Sequence, residues 1–508
     1  MDIKRQLLIG VTILGLASCS KDTEDFNFLP SEQPDTEQPG SSSSEDPLPT
    51  VSRNEKYRPQ VHFTPAQNWM NDPNGMVYAD GVWHLYYQYN PSGNDWGNMS
   101  WGHATSSDLM HWQEQPVAMI RNQWGDIFSG SAVVDKNNVA GFGAGTIIAF
   151  YTASGSHQQQ CMAYSTDGGK SFTQYDGNPI ISNNSLPDFR DPKVFYHEES
   201  GKWIMCLAMG WSCQVELWGS ENLKNWTKLS TFSVPYSGSN IGQWECPDLV
   251  KLPYNGSEKW VLILSNNPGG PAGGSGTEYF VGDFNGTEFI ADELDYPLWL
   301  DYGSDNYAGV TWSNAPGDRV IMIGWMNNWN YAGAVPCNPW RSAMTLPREL
   351  SLKEVNGSPL LSTKVVSEID GIAGEWKNAQ DGVCFGGDAY EIVVKVDMQS
   401  TSTFRIGNGD NEYMEVQVMP SADRIIAKRN SLTGVVGFNN LFSLPSVTAP
   451  VHEKSDELEL HIYTDKSSVE IISADGTIAL TNLVFPTSVY DRIIGLDGVS
   501  YRPLKSVW

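Results

Sequence analysis

The chain has 508 residues, 40% of them hydrophobic and 11% aromatic, enough for two or three packed domains. Its 59 acids against 32 bases give a formal net charge of −27, which repels phosphate backbones and excludes nucleic acid as a partner but not a neutral ligand such as a sugar. The 19 Trp, 21 Tyr and 48 Gly residues favour aromatic-rich strands joined by tight turns over helices.

In chain order, "MDIKR" carries positive charge, and "QLLIGVTILGLAS" is an apolar run too short to span a bilayer by default. "LASC" resembles the lipobox of bacterial lipoproteins, in which the cysteine, here Cys19, becomes the lipidated first residue. The following "SKDTEDF" resembles the acidic signal that carries lipoproteins of Bacteroides-like bacteria to the cell surface. The expectation is a signal peptide over 1–19 and a surface-exposed outer-membrane lipoprotein. An ordinary signal peptide with an incidental cysteine is the alternative. Residues 20–56 are acidic and Pro/Ser-rich with almost nothing to bury, which predicts a disordered tether. Six further cysteines are scattered without a CxxC pair, so neither a zinc framework nor a disulfide scaffold is expected.

From 57 to 355 the sequence repeats. "NDPNGMVYADGVWHLYYQY", "RDPKVFYHEESGKWIMCLAM" and "ECPDLVKLPYNGSEKWVLILS" share one plan: an acid-containing turn, a strand, a polar turn, then a Trp in a second strand. Weaker copies start at Ser129 and Asp305, so the units step through 72, 129, 191, 248 and 305. A period near 57 residues with several short strands per unit predicts five blades of a β-propeller. A β-sandwich with coincidental spacing is the alternative. Over 356–508, "AYEIVVKVDM", "EYMEVQVM", "DELELHIYTD" and "SSVEIISADGTIAL" alternate apolar and polar residues. That pattern predicts a separate antiparallel β-sandwich.

Equivalent turns of a propeller converge at one mouth of its axis. Asp72, Asp191 and Glu245 are therefore expected to meet there, although each alone reads as a turn residue or solvated charge. Trp69, Arg190 and Trp244 flank them. Aromatic faces beside carboxylates suit sugars, whose C–H surfaces stack while their hydroxyls hydrogen-bond.

"WMNDPNG", "FSGSA", "FRDPKVF" and "WECPDL" stand in the order and spacing of the signature motifs of glycoside hydrolase family 32. "WGNMSWGHATSSDLMHW", "DYGSDNYAG", "GWMNNW" and "PWRSAMTLPREL" extend the likeness, and "DKSSVEIISADG" resembles a phrase of that family's C-terminal sandwich. The resemblance implies retaining hydrolysis of β-fructofuranosides. Asp72 would be the nucleophile at C2 of fructose and Glu245 the acid/base. Asp191 would stabilise the transition state through fructose hydroxyls. Asn71, Gln88, Trp96, Phe128, Ser129, Arg190, Tyr302 and Trp325 carry over as substrate contacts, with Trp96 and Trp325 as walls of the fructose pocket. Cys246 is expected to be a small packing partner. Asn306 departs from the family, which more often has an aromatic there.

Fructan polysaccharide or fructo-oligosaccharide is the implied substrate, and no cofactor or metal is expected. A surface address favours a polymer too large to import. Levan (β-2,6) is placed ahead of inulin (β-2,1), and endo-cleavage ahead of exo-trimming. Exo-fructosidase or invertase action, fructosyl transfer and non-catalytic glycan binding stay open. The outer membrane, through the lipid, and other surface glycan-uptake proteins are the further partners implied.

Overall fold

The computed structural model describes residues 52–233, 242–443, 446–452 and 455–508. The expected signal peptide, the lipidated Cys19 and nearly all of the 20–56 tether lie outside the described residues. Among the described residues the chain is all strand and turn, relieved only by short 3-10 turns. The five-bladed propeller and the sandwich expected from the sequence are both present.

Blade I is formed by Asn68–Ala79, Val82–Tyr89, Ser100–Ser106 and Trp112–Met119. Blade II holds Asp126–Asp135, Thr146–Ser154, Gln158–Ser165 and Thr173–Gln174; blade III holds Phe189–His197, Lys202–Met209, Gln214–Ser220 and Thr227–Ser233. Blade IV is built on Gln243–Tyr254, Ser257–Asn267, Gly276–Phe284 and Phe289–Ala291, and blade V on Tyr307–Thr311, Ile321–Met326, Arg348–Val355 and Ser358–Val365. Each is an antiparallel meander whose first strand lies innermost.

Neighbouring inner strands are stitched around the axis by polar side chains. Asn74 of blade I accepts from the amide of Gly130 at 3.2 Å, and Ser131 of blade II donates to the carbonyl of Pro192 at 2.7 Å. Lys193 of blade III donates to Asp248 of blade IV at 2.9 Å, and Asp248 accepts from the Thr311 amide of blade V at 2.7 Å. Ser313 returns to the Met76 carbonyl at 3.0 Å. Trp340–Arg341, between the second and third strands of blade V, then pairs in parallel with Asn68 and Trp69, so the last blade is hydrogen-bonded to the start of the first. Closure in this way leaves no long open edge.

The fifth blade runs to Val365, because Ser358–Val365 pairs along its whole length with Arg348–Val355. The propeller therefore extends past the 355/356 boundary expected from the sequence. The repeat supplies no acidic turn to mark this outermost strand.

The sandwich stacks a six-stranded sheet on a five-stranded one. Its core interleaves Tyr390, Ile392, Val394, Leu460 and Ile462 with Phe404, Ile406, Val416 and Val418, all essentially inaccessible to water. A buried ionic network joins it to the propeller. His62 contacts Asp465 and Glu470, both at 2.8 Å, and Arg348 donates to Asp301 at 2.8 Å and to Glu470. Asp301 also accepts from the amide and hydroxyl of Thr481. Removing one member would strand a buried charge, the costly way to break such a network.

Candidate active site

All five innermost strands carry a register shift at the same height. In each, two residues oppose one on the second strand: 71–72, 128–129, 191–192, 246–247 and 308–309. An extra residue in one strand bends it and re-aims its side chains, which is why bulges recur beside reactive sites. Here five bulges ring one mouth of the axis. At the first bulge position, Asp191, Cys246 and Ala308 all have positive φ, between 48° and 64°. Non-glycine residues adopt that conformation only where surrounding structure imposes it.

Asp72 presents a carboxylate held at both oxygens. Asn71 donates to Oδ1 at 3.0 Å and Ser129 to Oδ2 at 2.6 Å. Asn71 is itself fixed by Trp69 Nε1 at 2.8 Å. Burial pushes the Asp72 carboxyl up; the Ser129 hydrogen bond opposes this and the charge of Glu245 adds to it, leaving a net rise.

Asp191 lies across the ring, with Oδ2 accepting from the Cys246 amide at 2.9 Å. Its own amide donates to Thr152 at 2.9 Å. Burial raises this carboxyl most, Arg190 draws it down, and the charges of Glu245 and Asp72 push it up again; the net direction is upward. Asp72 and Asp191 are both raised because each is buried within reach of neighbouring negative charge.

The Cys246 thiol sits between two of these groups, 3.6 Å from Asp72 Oδ2 and 3.7 Å from Asp191 Oδ2. Burial and the surrounding anions push it well above the ordinary thiol range. It is a neutral spacer and weak donor, in line with the packing role expected for it.

Glu245 has a partner on each oxygen. Arg190 Nη2 donates to Oε1 at 2.9 Å, with Nε at 3.1 Å, and Tyr307 donates its hydroxyl to Oε2. Arg190 is locked by Asp188 at 2.6 Å and Gln158 at 3.1 Å, and stays 3.9 Å from Asp191. Its guanidinium therefore serves Glu245 more closely than Asp191. Tyr307 is not singled out by the sequence; it lies inside "DYGSDNYAG" and occupies the position just before the bulge, equivalent to Glu245 and Arg190.

The other expected contacts divide. Ser129, Asn71 and Arg190 are at the acids. Gln88 lies opposite the blade I bulge and donates to the Ile127 carbonyl at 3.0 Å. Trp96 stands at the rim, 37% exposed, with its ring edge-on to Phe128 at 6.1 Å.

Trp325 is fully buried beneath the site, packed with Trp69, Trp329 and Tyr307. It underlies the pocket and does not present a face as its wall. Tyr302 is not at the site: it is buried in the sandwich core cluster, and its amide donates to the Ala479 carbonyl. The turn at 302–305 leads to the sandwich, and the chain reaches the mouth only at Tyr307. Trp244 also turns away from the mouth, fully buried against Phe232 and Phe280. It is the residue before Glu245 on a strand, so it faces the opposite side. Asn306 donates inward to Asp301 at 3.3 Å and lines the blade interior.

Beside the acids the axis holds a cavity of about 20 Å³ bordered by Pro73, Ser129, Asp191, Pro192, Cys246 and Pro247. Among the described residues no group of three His, Cys, Asp or Glu side chains is arranged to hold a metal ion.

Comparisons with known proteins agree with this geometry. Residues 62–363 match the glycosyl hydrolases family 32 N-terminal domain, and residues 361–497 match the family 32 C-terminal domain. The levanase of Bacillus subtilis (strain 168) is 43% identical over 486 residues, covering 89% of this chain and 71% of the relative. An extracellular exo-inulinase of Aspergillus niger is 38% identical over 514 residues, covering 89% and 95%. Among solved structures, the exo-inulinase of Aspergillus awamori superposes with a TM-score of 0.83 at 35% identity, covering 90% of this chain and all (100%) of that one. The fructofuranosidase of Schwanniomyces occidentalis complexed with fructose gives 0.80 at 34%, with 90% and 100% covered. With both domain matches meeting at the end of the fifth blade, and with relatives this similar along nearly the whole folded body, the chain belongs to glycosyl hydrolases family 32.

Proposed function

We propose that this protein hydrolyses β-fructofuranosidic bonds in fructans with retention of configuration. The observation that carries the reading is the meeting of Asp72, Asp191 and Glu245 at one mouth of the propeller axis, held by Ser129, the Cys246 amide and Arg190 respectively. Asp72 attacks C2 of the fructosyl unit as the glycosidic oxygen leaves with a proton from Glu245. A covalent fructosyl ester on Asp72 results. Glu245 then takes a proton from water, whose oxygen attacks C2 and releases the Asp72 carboxylate. Asp191, held in place by the Cys246 amide, accepts fructose hydroxyls, and those bonds strengthen as positive charge develops on the ring. Arg190 and Tyr307 fix where the Glu245 proton is delivered.

Levan is placed ahead of inulin; the similarity to a levanase supports it. A surface address, with Cys19 as lipid anchor, supports endo-cleavage of a polymer outside the cell. The similarity to exo-inulinases supports the second reading, removal of terminal fructose. Chromatography of early products from levan, inulin and sucrose tests these readings together. Faster release from levan with an oligosaccharide ladder supports endo-levanase action; fructose alone supports the exo reading. Absence of release from all three would overturn fructan hydrolysis. Growth of the Cys19→Ala variant tests the anchor: the enzyme should move from the membrane fraction to the soluble one.

A further inference from the structure

A Trp left largely in water is ordinary when it stands alone. Trp211 does not stand on an arbitrary surface. It is 61% exposed at the tip of the Gly210–Ser212 turn, which links Lys202–Met209 to Gln214–Ser220 in blade III. Met209 pairs with Phe189, the first residue of the inner strand that carries Arg190 and Asp191, so the turn lies at the catalytic end of the blade. The turn is pinned there: the Gly210 amide donates to the Asp188 carbonyl at 3.0 Å. Space beside Gly210 is filled by the Asp188 and Gln243 side chains. Asp188 in turn holds Arg190 at 2.6 Å, and Arg190 holds Glu245.

Trp211 is thus connected to the rigid frame of the proton donor. Trp96 stands at the rim beside Phe128, next to the Ser129–Asp72 side. Glu245 marks the side on which the leaving group departs. Among the described residues no hydrogen bond or ring contact engages the Trp211 indole, whereas Asp188 and Gln243 pack against the neighbouring Gly210. An open aromatic face at the catalytic end of a blade is a surface on which a sugar ring can stack.

We infer that Trp211 is a stacking platform for a fructose unit on the leaving-group side of the scissile bond, beyond the sugar that receives the Glu245 proton. It makes the enzyme select polymer over disaccharide. The inference rests on the fructan-hydrolase reading above. Sucrose has one sugar on the leaving side and does not extend to the platform; levan and inulin do.

The test is steady-state kinetics of wild type, Trp211→Ala and Trp211→Phe on levan, inulin and sucrose, with thermal midpoints measured alongside. Loss of one stacked sugar is expected to raise KM for the preferred polymer about fivefold in Trp211→Ala, on the scale of a single aromatic contact. Sucrose kinetics and the thermal midpoint should stay unchanged, and Trp211→Phe should recover most of the polymer KM. Equal kinetics on polymer for all three proteins would overturn the platform. A matching loss on sucrose would also overturn it, because the residue would then act on the funnel itself. A wild type inactive on all three substrates would instead remove the functional reading, and the platform with it.

Discussion

Ser129 shows how far one hydroxyl can tune the reaction. Its 2.6 Å bond stabilises the ionised form of Asp72, against burial and the charge of Glu245, which raise that carboxyl. Attack requires the ionised form, so activity is lost as pH falls through the raised value. Ser129→Ala removes the opposing bond and should move the acid limb of kcat/KM to higher pH; a limb that stays in place or moves down would contradict the assignment. Glu245 answers to the leaving group. Glu245→Gln should lower kcat on fructan on the order of 10³-fold, yet lose far less on an aryl fructoside whose leaving group needs no proton. Paired rates on the two substrates check this. The three acids were legible in the sequence because motifs of fixed spacing mark them. Tyr307, Tyr302 and Trp244 were not, because a motif says which residues recur and not which face of the strand they occupy.

The element that decides facing is the bulged inner strand. The sequence repeat aligns Asp72 with Asp191, since each precedes a proline. The hydrogen-bond register instead aligns Asp191 with Asn71 and Cys246, and Asp72 with Ser129. One residue of slip exchanges the faces of a strand, so the composition of the funnel could not be read from the repeat alone. In register terms, all three acids and Arg190, Tyr307, Asn71 and Ser129 come from three consecutive positions repeated around the ring. Gly130, just past the blade II bulge, shows how tightly that geometry is held: a Cβ there would sit 2.0 Å from the Phe150 carbonyl oxygen. Gly130→Ala must spread the first two strands of the blade. A loss of about 3 kcal/mol is expected, with kcat falling as Ser129 shifts away from Asp72. Urea unfolding and kinetics on the same preparation measure both; an unperturbed variant would contradict the packing described.

At the scale of the molecule, propeller and sandwich were predictable because period-57 and period-2 patterns differ, but the bond between them was not. His62, Asp465, Glu470, Arg348 and Asp301 are far apart in sequence and look like ordinary surface charges, yet all are buried together. Burial works against the His62 charge, but hydrogen bonds to Asp465 and Glu470 prevail and raise it from 6.5 to about 9. A raised histidine stabilises the fold fully below the unfolded value and loses that contribution as pH rises through the folded one. Stability should therefore fall between about pH 6.5 and 9, by about 3 kcal/mol from this group. Denaturation of wild type and His62→Gln across that range checks it: the variant should show the shallower slope, and equal slopes would remove His62 as the cause.

All of this serves one event, the bonding of a sugar carbon to the carboxylate at the blade I bulge. Rapid acid quenching during levan or sucrose turnover, followed by peptide mass spectrometry, observes it directly. One fructosyl unit is expected on the peptide containing Asp72, and none in Asp72→Asn. A fructosyl adduct on a different residue, or an Asp72→Asn enzyme that still turns over at the wild-type rate, would contradict it.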